Sequence, residues 1–196
     1  MKSHFFRFLG TVLAVSICGS TTVLAGSAIT GTVTAKKKKY IKNTVVYLEK
    51  VPGVHKPTKP ATIDQKDQTF IPFVTPIVVG TKVRFLNSDN MVHNVFSPSG
   101  EKYDLGNWDK GGVRTRIFKK KGVYKQLCKL HPAMRAYVIV LQNPYFAVTK
   151  KDGSFTIANV PGGTYKLAVW NKRKKAAPMP VKVDAKGKKI IEIKLR

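Results

Sequence analysis

Short apolar runs recur along most of the chain, and where polar residues interrupt them the period is two. "TVVYLE" (44–49), "TKVRFL" (81–86), "VYKQLC" (123–128), "AYVIVL" (136–141), "SFTIANV" (154–160), "TYKLAVW" (164–170) and "KKIIEIKL" (188–195) are rich in β-branched and aromatic residues. Gly, Pro, Asn or Asp separates them, which is the signature of strands joined by turns. After residue 25 no long stretch carries the 3.6-residue period of a helix. The pattern predicts an all-β protein built as packed sandwiches.

One apolar run breaks the pattern. "MKSHFFRFLGTVLAVSICGSTTVLAGS" has a basic head at Lys2 and Arg7, an apolar stretch, and "VLA" before Gly26. This reads as a secretory signal, residues 1–25, with cleavage expected after Ala25. Ser16, Gly19, Ser20, Thr21 and Thr22 interrupt the apolar stretch and argue against a membrane span. Bulky Ile17 before Cys18 argues against a lipid anchor. The expectation is an exported protein, in the periplasm or otherwise outside the cytoplasm, with about 170 residues left for one large domain or two small ones.

Export changes what the cysteines mean. The chain has two Cys and four His. With Cys18 and His4 in the signal, Cys128 stands alone beside His55, His93 and His131. A lone thiol in an exported protein suggests an intermolecular bridge, a reactive group or a metal ligand. Charge adds a second constraint. The formal net charge is +26, and +24 without Lys2 and Arg7. Outside the cytoplasm such a charge favours acidic proteins or an anionic membrane surface over nucleic acid.

The thiol sits in "CKLHPAM", Cys128 to Met134, where His131 and Met134 follow at steps of three. Val123, Lys125 and Leu127 alternate with Tyr124, Gln126 and Cys128, so a strand ends at the cysteine. Pro132 stops regular pairing, and "AMRAYVIV" starts the next strand. A thiolate, an imidazole and a thioether therefore share one tight loop. Zinc accepts the first two but rarely a thioether, so the third donor points to copper. A blue copper site needs a second imidazole, and "TKVRFLNSDNMVHNVFSPSG" supplies it: a strand through Val83 and Phe85, a turn at "NSDN", then His93. The donor set is His93, Cys128, His131 and Met134. Met91 matches no ligand position and reads as packing; His55, in "VPGVHKPTKP", reads as a solvated linker residue.

"MVHNVFS" followed by "YKQLCKLHPAMRAYVIV" resembles the cupredoxins, and the C-x-x-H-x-x-M spacing with Pro after His is most similar to the amicyanin type. The resemblance covers residues 60 to 142. It implies a Greek-key sandwich holding one type 1 Cu(I)/Cu(II) ion, with Asn94 bracing the ligand loop by hydrogen bonding. A ligand on the end loop can place its ring edge at the surface, so His131 is the expected electron port, with Pro132, Ala133 and Pro98 as a small apolar contact patch inside a basic rim. The expected partners are acidic redox proteins, a c-type cytochrome among them. An enzyme is not expected, because oxidases and nitrite reductases of this superfamily need further histidine-ligated copper and only His55 remains.

The remaining sequence predicts a second sandwich. "NPYFAVTKKDGSFTIANVPGGTYKLAVWN" is similar to the carboxypeptidase regulatory-like (prealbumin-like) fold through Asp152, Gly153, Phe155, Pro161, Gly162 and Tyr165. "MPVKVDAKGKKIIEIKLR" reads as a closing hairpin with Ile191, Ile193 and Leu195 on one face. That fold's usual opening, a "G-x-V" strand, lies far upstream in "ITGTVTAKKKKYIKNTVVYLEK". The expectation is therefore a cupredoxin unit, residues 56–142, inserted between residues 26–55 and 143–196 of the second sandwich, with proline-bearing linkers at both junctions. Trp170 and Tyr165 are expected in its core.

Two functions of different class follow. One is a diffusible one-electron carrier. The other is copper storage or delivery, or a structural envelope protein retaining a cupredoxin shape.

Overall fold

A computed structural model describes residues 26–196. The expected signal segment, with Cys18, lies outside the described residues. The chain begins with β1 (Ser27–Ala35) and β2 (Val45–Glu49), separated by one 3₁₀ turn at Lys38–Tyr40. Then come β3 (Ala61–Lys66), β4 (Thr69–Ile71), β5 (Val74–Val78), β6 (Lys82–Asn87), β7 (His93–Ser97), β8 (Tyr103–Trp108), β9 (Val113–Ile117), β10 (Gly122–Leu127) and β11 (Arg135–Leu141). The chain closes with β12 (Phe146–Val148), β13 (Ser154–Val160), β14 (Gly163–Trp170), β15 (Met179–Val183) and β16 (Lys188–Leu195).

The strands β3 to β11 form two sheets, ordered β4-β3-β6-β9 and β5-β11-β10-β7-β8. Their inner faces meet over Ile63, Val83, Phe85, Val95, Phe118, Tyr124, Val138 and Val140, all at most 2 % exposed. Parallel pairs β3–β6 and β5–β11 alternate with antiparallel ones, so this is a mixed sandwich.

The strands β1 and β2 pair with none of these. β1 lies between β13 and β16, and β2 between β12 and β14, in sheets β13-β1-β16 and β12-β2-β14-β15. These two sheets enclose a separate core that includes Ile29, Val33, Val46, Leu48, Phe155, Ile157, Leu167 and Ile193. Gly31 lies at its tightest point: a Cβ there would fall 1.9 Å from the carbonyl oxygen of Ile191, so only glycine lets β1 and β16 approach. Tyr165 packs against this core.

The closing hairpin is not formed. The strand β15 pairs antiparallel with β14, whereas β16 runs parallel to β1 in the other sheet, Gly31 facing Ile191. The "DAKG" stretch between them carries the chain across the sandwich. Ile193 and Leu195 are both 3 % exposed, and Ile191 packs against them.

A third apolar cluster joins the two sandwiches. Along β11, Ala136, Val138 and Val140 enter the first core, while Ile139 and Leu141 point the other way. Along β2, Val46 and Leu48 enter the second core, while Val45 and Tyr47 point outward. These outward faces meet with Val74, Phe73, Tyr137, Phe146, Val148 and Trp170. A strand buried on both faces needs an unbroken apolar run, which explains why "AYVIVL" and "VVYL" lack polar positions. Trp170 therefore belongs to this joint rather than to the second core.

Candidate metal centre

Three segments of chain bring the donors together. The strand β10 ends at Leu127 and releases Cys128, whose side chain is 2 % exposed and free of any disulfide. The loop then folds back so that the Met134 amide donates to the His131 carbonyl at 2.9 Å, closing a turn around Pro132. On the neighbouring strand, His93 opens β7, paired opposite Trp108 of β8. The Sγ of Cys128 lies 3.9 Å from Nδ1 of His93 and 3.7 Å from Nδ1 of His131. All three donor atoms fall within 4.8 Å of one another.

That spacing tests whether an ion fits. Typical bond lengths of about 2.3 Å to sulfur and about 2.0 Å to nitrogen separate a sulfur and a nitrogen on one ion by roughly 3.5–3.9 Å at bond angles of about 110–130°. The observed distances match, so one ion can be held by all three side chains. Met134 is 1 % exposed and packs in the same apolar cluster as Cys128. A thiolate, two imidazoles and an adjacent thioether make the donor set that suits copper.

The imidazoles are oriented before any ion arrives. The Nε2 of His93 stands 2.7 Å from a carboxylate oxygen of Asp89, so Nε2–H donates and the Nδ1 lone pair faces the sulfur. Asp89 is itself fixed by the amides of Asp67 at 2.6 Å and Gln68 at 2.9 Å. Both residues adopt left-handed backbone conformations (φ 52° and 50°) in the β3–β4 turn, which aims their two N–H groups at one carboxylate. Burial works against the charge on Asp89, but the hydrogen bonds from Gln68, His93 and Asp67 outweigh it and hold the carboxyl below its ordinary range. Asn87 completes the turn, donating from Nδ2 to the carbonyls of Met91 and Trp108.

Asn94 ties the strand to the ligand loop. Its backbone N–H points at Sγ of Cys128, 3.4 Å away, and its Oδ1 accepts from the Lys129 amide at 3.3 Å. Its Nδ2 donates to Asp104 at 2.7 Å and to the Gly106 carbonyl at 2.9 Å. Asp104 closes the ring with an ion pair to Lys129, 2.5 Å. The Lys129 contact first, then the Gly106 amide, keeps the Asp104 carboxyl below its usual range, with burial opposing.

His131 is half-buried, Pro132 and Ala133 are exposed beside it, and Leu130 is 46 % exposed. Pro98 is also exposed but follows the far end of β7, past Ser97. Met91 is 39 % exposed and so is not packing; it and Val92 form an apolar edge on the "NSDN" side. His55 is half-buried rather than solvated, with Nε2 3.3 Å from the Val51 carbonyl and its ring edge-on to Tyr145.

Sequence reasoning had not found Asp89 or Asp104. An acid four residues before His93 was visible in "NSDN", but only the turn brings it back to the ring.

Comparison with known proteins gives partial likenesses. A model of the β-sandwich domain of ER membrane protein complex subunit 7 matches residues 125–193, about a third of the chain. The family match over most of the second sandwich is thus to that domain and not to a carboxypeptidase regulatory-like module. No curated protein matches the chain. Among solved structures, a copper-containing nitrite reductase from Thermus scotoductus SA-01 is 27 % identical with a TM-score of 0.40. It covers 41 % of this chain, which spans only 22 % of the reductase. A purple cupredoxin from Nitrosopumilus maritimus is 26 % identical (TM-score 0.38), covering 41 % of this chain and 98 % of its own. An amicyanin variant in its Cu(I) form is 21 % identical (TM-score 0.39), covering 48 % and 97 %.

Proposed function

We propose that this chain is an exported blue copper protein that carries single electrons between redox partners, its metal held by His93, Cys128, His131 and Met134. One observation carries the reading: the sulfur of Cys128 and the Nδ1 atoms of His93 and His131 face a common point at ligand spacing. When bound there, copper supplies a one-electron couple.

The chain's own groups supply the rest. Full burial of His93 and near-full burial of Cys128 exclude water from those two side chains. The Asn94 N–H directed at Sγ withdraws charge from the sulfur, one of the levers that set a potential. The Asp89 and Asp104 networks fix both sides of the site, so the donors need not move as the charge changes. His131 is the donor nearest solvent, and Leu130, Pro132 and Ala133 give it an apolar surround suited to brief contact. The excess of Lys and Arg favours an acidic partner met by electrostatic steering. The histidine inventory supports a carrier over an enzyme, since among the described residues His55, between β2 and β3, is the one histidine left beside the two of the site. The second sandwich acts in this reading as a rigid spacer.

The test is to load the purified protein with copper and record its colour. An intense blue that bleaches with reductant and returns with oxidant is the expected result. A colourless protein that surrenders its copper to a weak chelator overturns the carrier and leaves storage or delivery. Export is checked separately: the protein recovered outside the cytoplasm should begin at Gly26.

A further inference from the structure

A basic cleft lies at the joint between the sandwiches. The cleft, of about 310 Å³, is walled on one side by Lys39 and Lys42, from the 3₁₀ turn region, and on the other by Lys172 and Arg173, from the loop after β14. Tyr40 and Phe73 are the aromatic residues in its lining. None of the chain's ten acidic residues lines it, and among the described residues none of these four cations takes part in an ion pair.

Two of the four cations, Lys39 and Lys172, lie over aromatic rings. The ammonium of Lys172 sits 5.4 Å from the Phe73 ring centre and 5.9 Å from that of Tyr137. Lys39 and Lys174 flank the Tyr40 ring at 5.5 Å and 5.2 Å. Asn171 staples the walls: its Nδ2 donates to the Tyr40 carbonyl at 2.9 Å and to Thr44 Oγ1 at 2.7 Å, and its Oδ1 accepts from the Arg173 and Lys174 amides. Burial first, and then the charges of Arg135, Arg173 and Lys125, push the Lys172 ammonium below its ordinary value.

From this cleft we infer a binding site for a phosphate-bearing oligoanion, seated between the Lys39–Lys42 and Lys172–Arg173 walls. Four cations around a space this small call for several negative charges in little volume. A phosphate brings up to two where a carboxylate brings one, and a guanidinium fork matches its oxygens. The site is independent of the copper reading and involves none of the metal donors. Its phosphates could belong to a soluble oligophosphate or to a lipid headgroup, and both are probed.

Titrate the full chain calorimetrically with tripolyphosphate, and in parallel by flotation with phosphatidylcholine vesicles with and without phosphatidic acid, whose phosphomonoester carries up to two charges. Saturable one-to-one binding of tripolyphosphate at physiological salt supports the soluble source; binding only to the anionic vesicles supports the headgroup. In either arm Lys172→Gln/Arg173→Gln and Lys39→Gln/Lys42→Gln should each lose roughly tenfold or more. Lys150→Gln/Lys151→Gln, which removes the same charge at the β12–β13 turn, should lose less than about twofold. Unchanged melting curves show that the variants fold. Equal losses in all three variants, or no binding to either probe, overturns the site.

Discussion

Asp89 and His93 lie four residues apart, across the turn before β7, and meet through a 2.7 Å hydrogen bond that turns the Nδ1 of the imidazole toward Cys128. The carboxylate sets the tautomer and adds to the basicity of the ring. Asp89→Asn should weaken copper binding about 10- to 100-fold, measured by competition with a chelator of known affinity. Affinity within about twofold of the parent would remove Asp89 from the site.

Acid should loosen the same region. Asp104 and Asp89 are held below their unfolded value of about 3.9, so both stabilise the fold fully above that pH, and the contribution drains as pH falls through the lowered folded values. The melting temperature of the metal-free protein should therefore drop once pH goes below about 4. Asp104→Asn should drop less steeply over that window; a slope equal to the parent's would mean that Asp104 is not linked to folding.

Cys128→Ser should abolish the blue colour and leave the fold intact. The side chain is buried among apolar residues, so a serine hydroxyl there costs about 1–3 kcal/mol, short of unfolding a sandwich of this size. Circular dichroism checks the fold and visible absorption checks the site. Colour that survives the substitution would show that the sulfur is not a ligand.

Ile139→Asp addresses the joint. Ile139 is 3 % exposed and faces the second sandwich, not the core of its own. Burying an unpaired carboxylate there should cost at least about 3 kcal/mol. Calorimetry of the parent should give one transition and of the variant two, as the sandwiches part. A single unshifted transition in the variant would mean that the joint contributes little.

All seven of the apolar runs that opened the sequence reading are strands, because half-buried and doubly buried strands leave period-two or continuous apolar traces. The strands with polar faces were harder to see: "VRTRI" of β9 is an edge with most of its side chains in water, and "ATIDQK" of β3 buries only Ile63 and Gln65. The cluster of His93, Cys128 and His131, with Met134 packed near it, was legible because soft side chains at loop spacing are rare by chance. Asp89 and Asp104 were not, since each acts through a turn or a neighbouring strand that leaves no spacing rule. The partner of β16 was misread for a related reason: "DAKG" has the chemistry of a hairpin turn, but parallel pairing with β1 is a long-range choice made by the core.

The pairing of β1 with β13 and β16 has a consequence for a chain made from its N-terminus. Its first two strands emerge early, yet the segments that complete their sheets are synthesised about a hundred residues later or more. Until then the nascent polypeptide carries naked hydrogen-bonding edges past a neighbour, β3 to β11, that already holds all of its own partners. Such a product asks for a holdase, or for slow, unfolded delivery across a membrane, during the interval before its ends can meet.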